Sequence, residues 1–188
     1  HRVGNQGVHA TVMHQMIEGI LSRPGPGLDG LVRQVWEHMV RTAPIAREIA
    51  GFFGADPEEA FTLALLHDVG KLVLFDRVAE ERKRLRRELR FPAGFMDVAL
   101  QLLHEPLGGL AAFEWGLDDR SATVISSHHR RGDHPHSEPL SEVLFVAEGV
   151  DIALHRHFEV DLNRIWEDGH LTGPIDKVSA WLVRHANE

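Results

Sequence analysis

The chain contains no cysteine. That excludes disulfides and every thiolate metal site, so a transition-metal ion would have to be held by imidazole and carboxylate groups. It also suits a reducing cytoplasm, where the protein is expected to work. No apolar run approaches the roughly 20 residues that a helix needs to cross a bilayer. The richest stretch, Phe61 to Phe75, is interrupted by His67, Asp68 and Lys71. No segment reads as a signal peptide, and none alternates apolar and polar residues for long enough to suggest a sheet. Gly-rich phosphate loops, Ser-His-Asp arrangements and zinc fingers are missing as well. Excess positive charge is also lacking: the formal net charge is −8 with histidine neutral, which disfavours generic binding to nucleic acid or to an anionic membrane.

What is present is ordinary in bulk and unusual in one respect. With 188 residues, 43% hydrophobic and 26% charged, the chain can build one soluble domain with a sizeable core. Fourteen of its residues are histidine, so their placement decides what they mean. The first residue is His1 and not Met, which reads as a trimmed chain or one segment of a longer protein.

Helical spacing dominates. Val8, Val12, Met16 and Ile20 mark an amphipathic helix, and Arg23-Pro-Gly-Pro-Gly-Leu28 breaks it. Val35, Met39, Thr42, Ala46, Ile49 and Phe53 form one stripe of a long helix, which Pro44 is expected to kink or divide. Gly54 closes it. Asp56-Pro57-Glu58-Glu59 is a helix start, with Asp at the N-cap, Pro at the first position and Glu59 placed for a capping box. That helix is expected to carry His67 and to stop at Gly70. Arg77 to Arg90 reads as an exposed helix of mixed-sign pairs, closed by Phe91-Pro92. Further helices are expected over Phe95–Leu103, Leu107–Trp115, from a cap at Asp118 to His129, from Leu140 to Val150, and from Pro174 onward. Arg130 to Pro139 reads as a loop. The fold class is therefore all-α, with about seven to nine helices.

The most informative stretch is Ala64-Leu-Leu-His67-Asp68-Val-Gly70-Lys71. An apolar run ends in adjacent imidazole, carboxylate and ammonium groups, which are costly to bury unpaired. A metal ion would satisfy the His and the Asp together; the plainer alternative is a charged helix end at the surface. His38 in Trp36-Glu-His-Met, followed by His67-Asp68-Val-Gly-Lys71, resembles the opening of HD-superfamily domains, the metal-dependent phosphohydrolases named for that dipeptide. Asp56-Pro-Glu-Glu-Ala60 running into Leu65-Leu-His-Asp, then His104, Trp115-Gly-Leu and His128-His129, resembles the HDOD branch found in bacterial signalling and regulatory proteins. The resemblance spans roughly residues 30 to 155. It implies an HD-like helical bundle over residues 28–188, preceded in 1–27 by a helix and linker that would be the remnant of a longer N-terminal part.

HDOD domains often lack a complete ligand set. The related HD-GYP cyclic-dinucleotide phosphodiesterases use His, His-Asp, His, His-His and Asp. Here that order is matched by His38, His67-Asp68, His104, His128-His129 and Glu148. The last position usually carries Asp, and Asp151, three residues on and on a similar helix face, is an alternative. Leu-His-Glu-Pro-Leu-Gly around His104 also departs from the usual His-Ala-Glu-Val-Gly. The Gly-Tyr-Pro segment of HD-GYP proteins is absent, which argues against their substrate. The resemblance implies one or two divalent transition ions, with Asp68 bridging, His38, His67 and Glu148 on one, and His104, His128 and His129 on the other. Two metals about 3.5–4 Å apart can clamp a phosphate and share an activated water. Imidazole-rich coordination suits Fe, Mn, Co, Ni or Zn. Asp68 and Lys71 are the residues expected to act in catalysis: Lys71 could steady phosphate charge, or it could simply favour a helix C-terminus.

The other histidines, His9, His14, His134, His136, His155, His157, His170 and His185, read as surface or locally satisfied residues. The basic run Arg82 to Arg87 reads as a solvated face because Glu80, Glu81 and Glu88 flank it. Two functional readings follow. One is a metal-dependent phosphohydrolase acting on a nucleotide or other phosphoester. The other is a catalytically silent HDOD module that signals through a protein partner.

Overall fold

The computed structural model describes residues 28–86, 89–129 and 138–185. Among them are eight α-helices and one short 3-10 helix, with no strand. In chain order the helices are α1 (Asp29–Ala50), α2 (Pro57–Leu66), α3 (Val69–Leu85), α4 (Phe95–Glu114), α5 (Asp119–Ser126), α6 (Pro139–His155), α7 (Leu162–Asp168) and α8 (Ile175–His185), with the 3-10 turn Gly51–Phe53 after α1. The expected helix around Val8–Ile20, and most of the Arg130–Pro139 loop, lie outside the described residues. No helix among the described residues is long and apolar enough to cross a membrane.

Met39, Ala43, Ala46 and Ile49 form the buried stripe of α1. They meet Leu63, Ala64 and Leu66 of α2 and Val143, Leu144, Ala147 and Val150 of α6 in one core. α1 packs chiefly on α2 and α6, while α3, α4 and α5 pack in sequence. The core therefore has α1, α2 and α6 on one side, and the His67-Asp68 turn carries the chain from it into the α3–α4–α5 layer.

The caps at Asp56 and Asp118 form as expected. Asp56 accepts from the amides of Glu58 and Glu59, both at 2.9 Å, and Asp118 accepts from Ser121 at 2.8 Å. The capping box does not close at Glu59; its carboxylate turns outward to Arg120, 3.1 Å away. Neither internal proline breaks its helix. α1 runs through Pro44 and α4 runs through Pro106. In each case the proline is exposed and the carbonyl it deprives of a partner, that of Val40 or Leu102, belongs to an exposed residue that water can reach. The helix after Phe91-Pro92 is thus one element where two were expected. α3 also stops at Leu85, earlier than Arg90, with Arg86 in a left-handed conformation (φ 49°). Arg77 pairs with Glu80 at 2.6 Å and Arg84 with Glu81 at 2.7 Å on its exposed face. The short helix α7, capped by Asp161 onto the Arg164 amide, was not anticipated.

Gly70 is not a helix stop. It sits buried in the first turn of α3, where an added Cβ would lie 1.9 Å from the His104 carbonyl oxygen and 2.6 Å from the Gly108 amide nitrogen. Both neighbours are backbone, so the clash could be relieved only by moving α3 away from α4. Gly70→Ala is expected to destabilise the fold by about 3 kcal/mol or more, read as a shift of the denaturant midpoint. An unchanged midpoint would show that α3 and α4 are not held at this close crossing.

Candidate metal centre

Two histidines reach the interior by the same local device. α2 ends at Leu66, and His67, just past it, donates from Nδ1 to the Ala64 carbonyl at 2.7 Å. α5 ends at Ser126, short of the expected His129, and His128 donates from Nδ1 to the Ile125 carbonyl at 2.7 Å. Each ring satisfies an orphan carbonyl of a helix's last turn and is thereby pinned with Nε2 pointing away from that helix. His104, in the middle of α4, donates from Nδ1 to the Leu100 carbonyl at 2.7 Å. His38, in α1, donates from Nδ1 to Asp151 Oδ2 of α6, also at 2.7 Å. In all four rings Nδ1 therefore carries a proton and Nε2 is turned toward the interior.

These Nε2 atoms surround Asp68. Its Oδ2 lies 3.6 Å from His67 Nε2 and 3.9 Å from His38 Nε2, while its Oδ1 lies 3.8 Å from both His104 Nε2 and His128 Nε2. Glu148 stands across from it, with Oε1 3.9 Å from His38 Nε2 and Oε2 3.6 Å from His129 Nδ1. Three overlapping groups have ligand atoms within 4.8 Å of one another: His38, His67 and Asp68; His67, His128 and Glu148; and His104, His128 and His129. All seven residues singled out from the sequence are thus brought together, from α1, α4, α6 and the turns after α2 and α5. Asp151 is not beside Glu148 facing the cluster. It lies behind His38, on the nitrogen remote from Asp68, so Glu148 is the carboxylate placed to act as a ligand.

The donor set fits a cation. Asp68 Oδ1, His104 Nε2 and His128 Nε2 are buried with no hydrogen-bond partner among the described residues, a costly state for three polar atoms unless something shared satisfies them. His38 Nε2 and His67 Nε2 approach to 3.2 Å. The neutral His67 ring has its proton on Nδ1, so its Nε2 presents a lone pair at that contact. Two nitrogens at about 2.1 Å from one ion, at tetrahedral or octahedral angles, would stand roughly 3.0–3.4 Å apart.

Electrostatics point the same way. Burial pushes the His67 imidazolium pKa down to about 4, against an opposing pull from Asp68. Burial, reinforced by neighbouring His67, takes His128 down to about 3. Both rings are neutral near pH 7, the form that binds metal. For Asp68, burial works to raise the carboxyl pKa, but His67, Lys71 and His128 outweigh it and hold the group ionised well below the usual range. Asp151 is likewise held low, with the hydrogen bonds from His38 and Arg41 overcoming its burial.

Lys71 donates to Asp68 Oδ2 at 2.5 Å, with its side chain partly open to solvent. It lies in the first turn of α3. A helix dipole disfavours a cation there, so the idea that it merely complements a helix C-terminus fails: that rested on a helix ending at Gly70. Two further residues supporting the site escaped sequence reading. Arg41 binds Asp151 through Nε at 2.8 Å and Nη2 at 3.1 Å. Glu105, buried beside His104, accepts the His129 amide at 2.9 Å. Asp151 was visible only as a rival to Glu148. The signal available for Arg41 was its position three residues after His38, on the same helical face. Elsewhere, His155, His157 and His170 are exposed, and His185 pairs with Glu48 at 3.0 Å. His9, His14, His134 and His136 lie outside the described residues.

Known proteins resemble this chain over much of its length. Over 137 residues the chain is 31% identical to the symmetrical bis(5'-nucleosyl)-tetraphosphatase of Bacillus subtilis (strain 168), covering 68% of this chain and 70% of that protein. It is 25% identical over 122 residues to the protein of the same name from Halalkalibacterium halodurans, covering 64% of this chain and 63% of that one. Its fold matches a crystallised candidate phosphohydrolase from Shewanella amazonensis SB2B with a TM-score of 0.60 at 20% identity, over 79% of this chain and 58% of that chain. The model of the HDOD domain matches residues 1–131, and the chain belongs to the HDOD family.

Proposed function

We propose that this protein is a metal-dependent phosphohydrolase that acts in the cytoplasm on a nucleotide or related phosphoester, with one or two divalent transition ions held by His38, His67, Asp68, His104, His128, His129 and Glu148. The observation that carries the reading is the set of three buried polar atoms, Asp68 Oδ1, His104 Nε2 and His128 Nε2, that converge without a hydrogen-bond partner among the described residues. Fe, Mn, Co, Ni or Zn suits such a nitrogen-rich set. When bound, such ions supply Lewis acidity toward a phosphoryl oxygen and an activated water nucleophile. Asp68 offers an oxygen to each half of the histidine set. Lys71, part-exposed at the rim and already in contact with Asp68, is placed to meet phosphate charge. The relatives named as bis(5'-nucleosyl)-tetraphosphatases make a nucleoside polyphosphate the first substrate to try.

The test is elemental analysis of protein purified without a histidine tag, followed by assays with Mn(II) or Fe(II) under reducing conditions. The panel holds diadenosine tetraphosphate, cyclic and linear dinucleotides, mononucleotides and a chromogenic phosphodiester. Metal in the protein and turnover of the dinucleoside polyphosphate are expected. Metal without turnover on any member of the panel would transfer the argument to the second reading, a silent module acting through a signalling partner. One observation favours that reading: α4 exposes Phe95, Val98, Leu102, Leu110 and Phe113, each more than two-fifths accessible, and contiguous apolar surface of this kind marks contact sites.

A further inference from the structure

His38 is anchored differently from its companions. His67, His104 and His128 each donate to a carbonyl three or four residues upstream, so their own backbone orients them. His38 donates instead to a carboxylate on another helix, 113 residues away in sequence. Thr42 Oγ1 comes within 3.5 Å of the same nitrogen, but it donates to the His38 carbonyl at 2.9 Å and gives the ring little direction. Asp151 is nearly fully buried and is itself gripped at both oxygens by the Arg41 guanidinium. Glu148 and Asp151 are one turn apart on α6, so that helix approaches His38 from two sides: Glu148 Oε1 before Nε2 and Asp151 Oδ2 behind Nδ1.

We infer that Asp151, held by Arg41, is a positioning residue that fixes the ring orientation and tautomer of His38 and so sets the strength of the half-site formed by His38, His67, Asp68 and Glu148. The inference rests on the metal reading above. A carboxylate behind a ligating imidazole keeps the proton on the far nitrogen and raises the basicity of the near one. An orienting partner of this type is worth about 10–100-fold in metal affinity. Arg41 contributes by holding both oxygens of the carboxylate in line. Being about one-third exposed, it is worth less, about fivefold.

Co(II) binding, followed by chelator competition and by the visible spectrum of the ion, separates this role from a structural one. Nitrogen-15 spectra of the metal-free protein report the His38 tautomer directly. In the wild type His38 should carry its proton on Nδ1. Asp151→Ala should mix the two tautomers and weaken Co(II) binding about 10–100-fold at one half-site. Asp151→Asn, which keeps an acceptor oxygen but no charge, should recover part of that loss, and Arg41→Ala should cost about fivefold. If Asp151→Ala lowers thermal stability yet binds Co(II) like the wild type, the positioning role is overturned. Should Asp151→Ala fail to fold, unchanged affinity in both Asp151→Asn and Arg41→Ala overturns it equally. Wild-type protein that binds no Co(II) would defeat the metal reading itself, and the tautomer comparison would still decide whether Asp151 sets the His38 ring.

Discussion

Asp68→Ala is expected to strip the centre of metal and to lower phosphoester turnover by about 10³-fold or more, with helical content unchanged. The size follows from position. Asp68 has one oxygen among His38 and His67 and the other among His104 and His128, at 3.6 to 3.9 Å. Losing it removes an anionic oxygen from both halves at once. Glu148 also stands between the halves, but against a different pair, His38 and His129. Metal catalysis of this class supplies several kcal/mol, and each 1.4 kcal/mol is a factor of ten. The fold should survive because the change leaves the apolar stripes intact. Breaking a buried ion pair usually costs 3–5 kcal/mol because a charge is stranded. Here the stranded partner is Lys71, whose side chain already reaches solvent, so about 1–2 kcal/mol is expected. Mass-spectrometric metal analysis, circular dichroism and turnover of the same preparation read all three claims. Full turnover in the variant would place the activity elsewhere in the chain or in a contaminant, and metal retained at wild-type content would remove Asp68 from its joining role.

The parts of this centre that were legible in the sequence are those whose chemistry is local. The His67-Asp68 pair at the end of an apolar run and the caps at Asp56 and Asp118 each depend on neighbours a few residues away, whereas His38, His104, His128-His129 and Glu148 entered through the family resemblance. What was misread depended on contacts from other elements. Pro44 and Pro106 signal helix breaks by propensity, yet each lies on an exposed face where the lost hydrogen bond goes to water, and packing on the opposite face carries the helix through. Gly70 signals a stop, but its missing side chain serves the close approach of the α4 backbone, which no local pattern reports. The choice between Glu148 and Asp151 could not be made from spacing, because residues one turn apart share a face. Only the position of the His38 ring, wedged between them, assigns one to each nitrogen.

Acid should unfold the metal-free protein well before its surface carboxylates titrate. His67 and His128 have no exposed surface, and burial holds their pKa values at about 4 and about 3, against about 6.5 in an unfolded chain. The folded values are the lower ones, so as pH falls through 6.5 the unfolded state takes up protons first and is favoured. The stability these neutral rings contribute is fully present above pH 6.5 and is lost progressively down to pH 4 and below. At about 1.4 kcal/mol per proton per pH unit, the two rings together amount to on the order of 5 kcal/mol between pH 7 and pH 4. His129 is omitted because more than a third of its ring is open to screening water. Asp68 acts in the same direction but lower: its folded pKa is depressed, so its contribution persists above the ordinary carboxylate range and is lost only beneath it. A loss on this scale is comparable with the whole stability of many domains. Urea midpoints with chelator present should therefore fall steeply from pH 7 to pH 4, and added Mn(II) or Co(II) should raise the midpoint at pH 7 far more than at pH 4, because protons then compete for the same nitrogens. A midpoint that stays level across that range would mean that the His67 and His128 rings are not held neutral in the interior, and the case for a preformed imidazole cluster would fall with it.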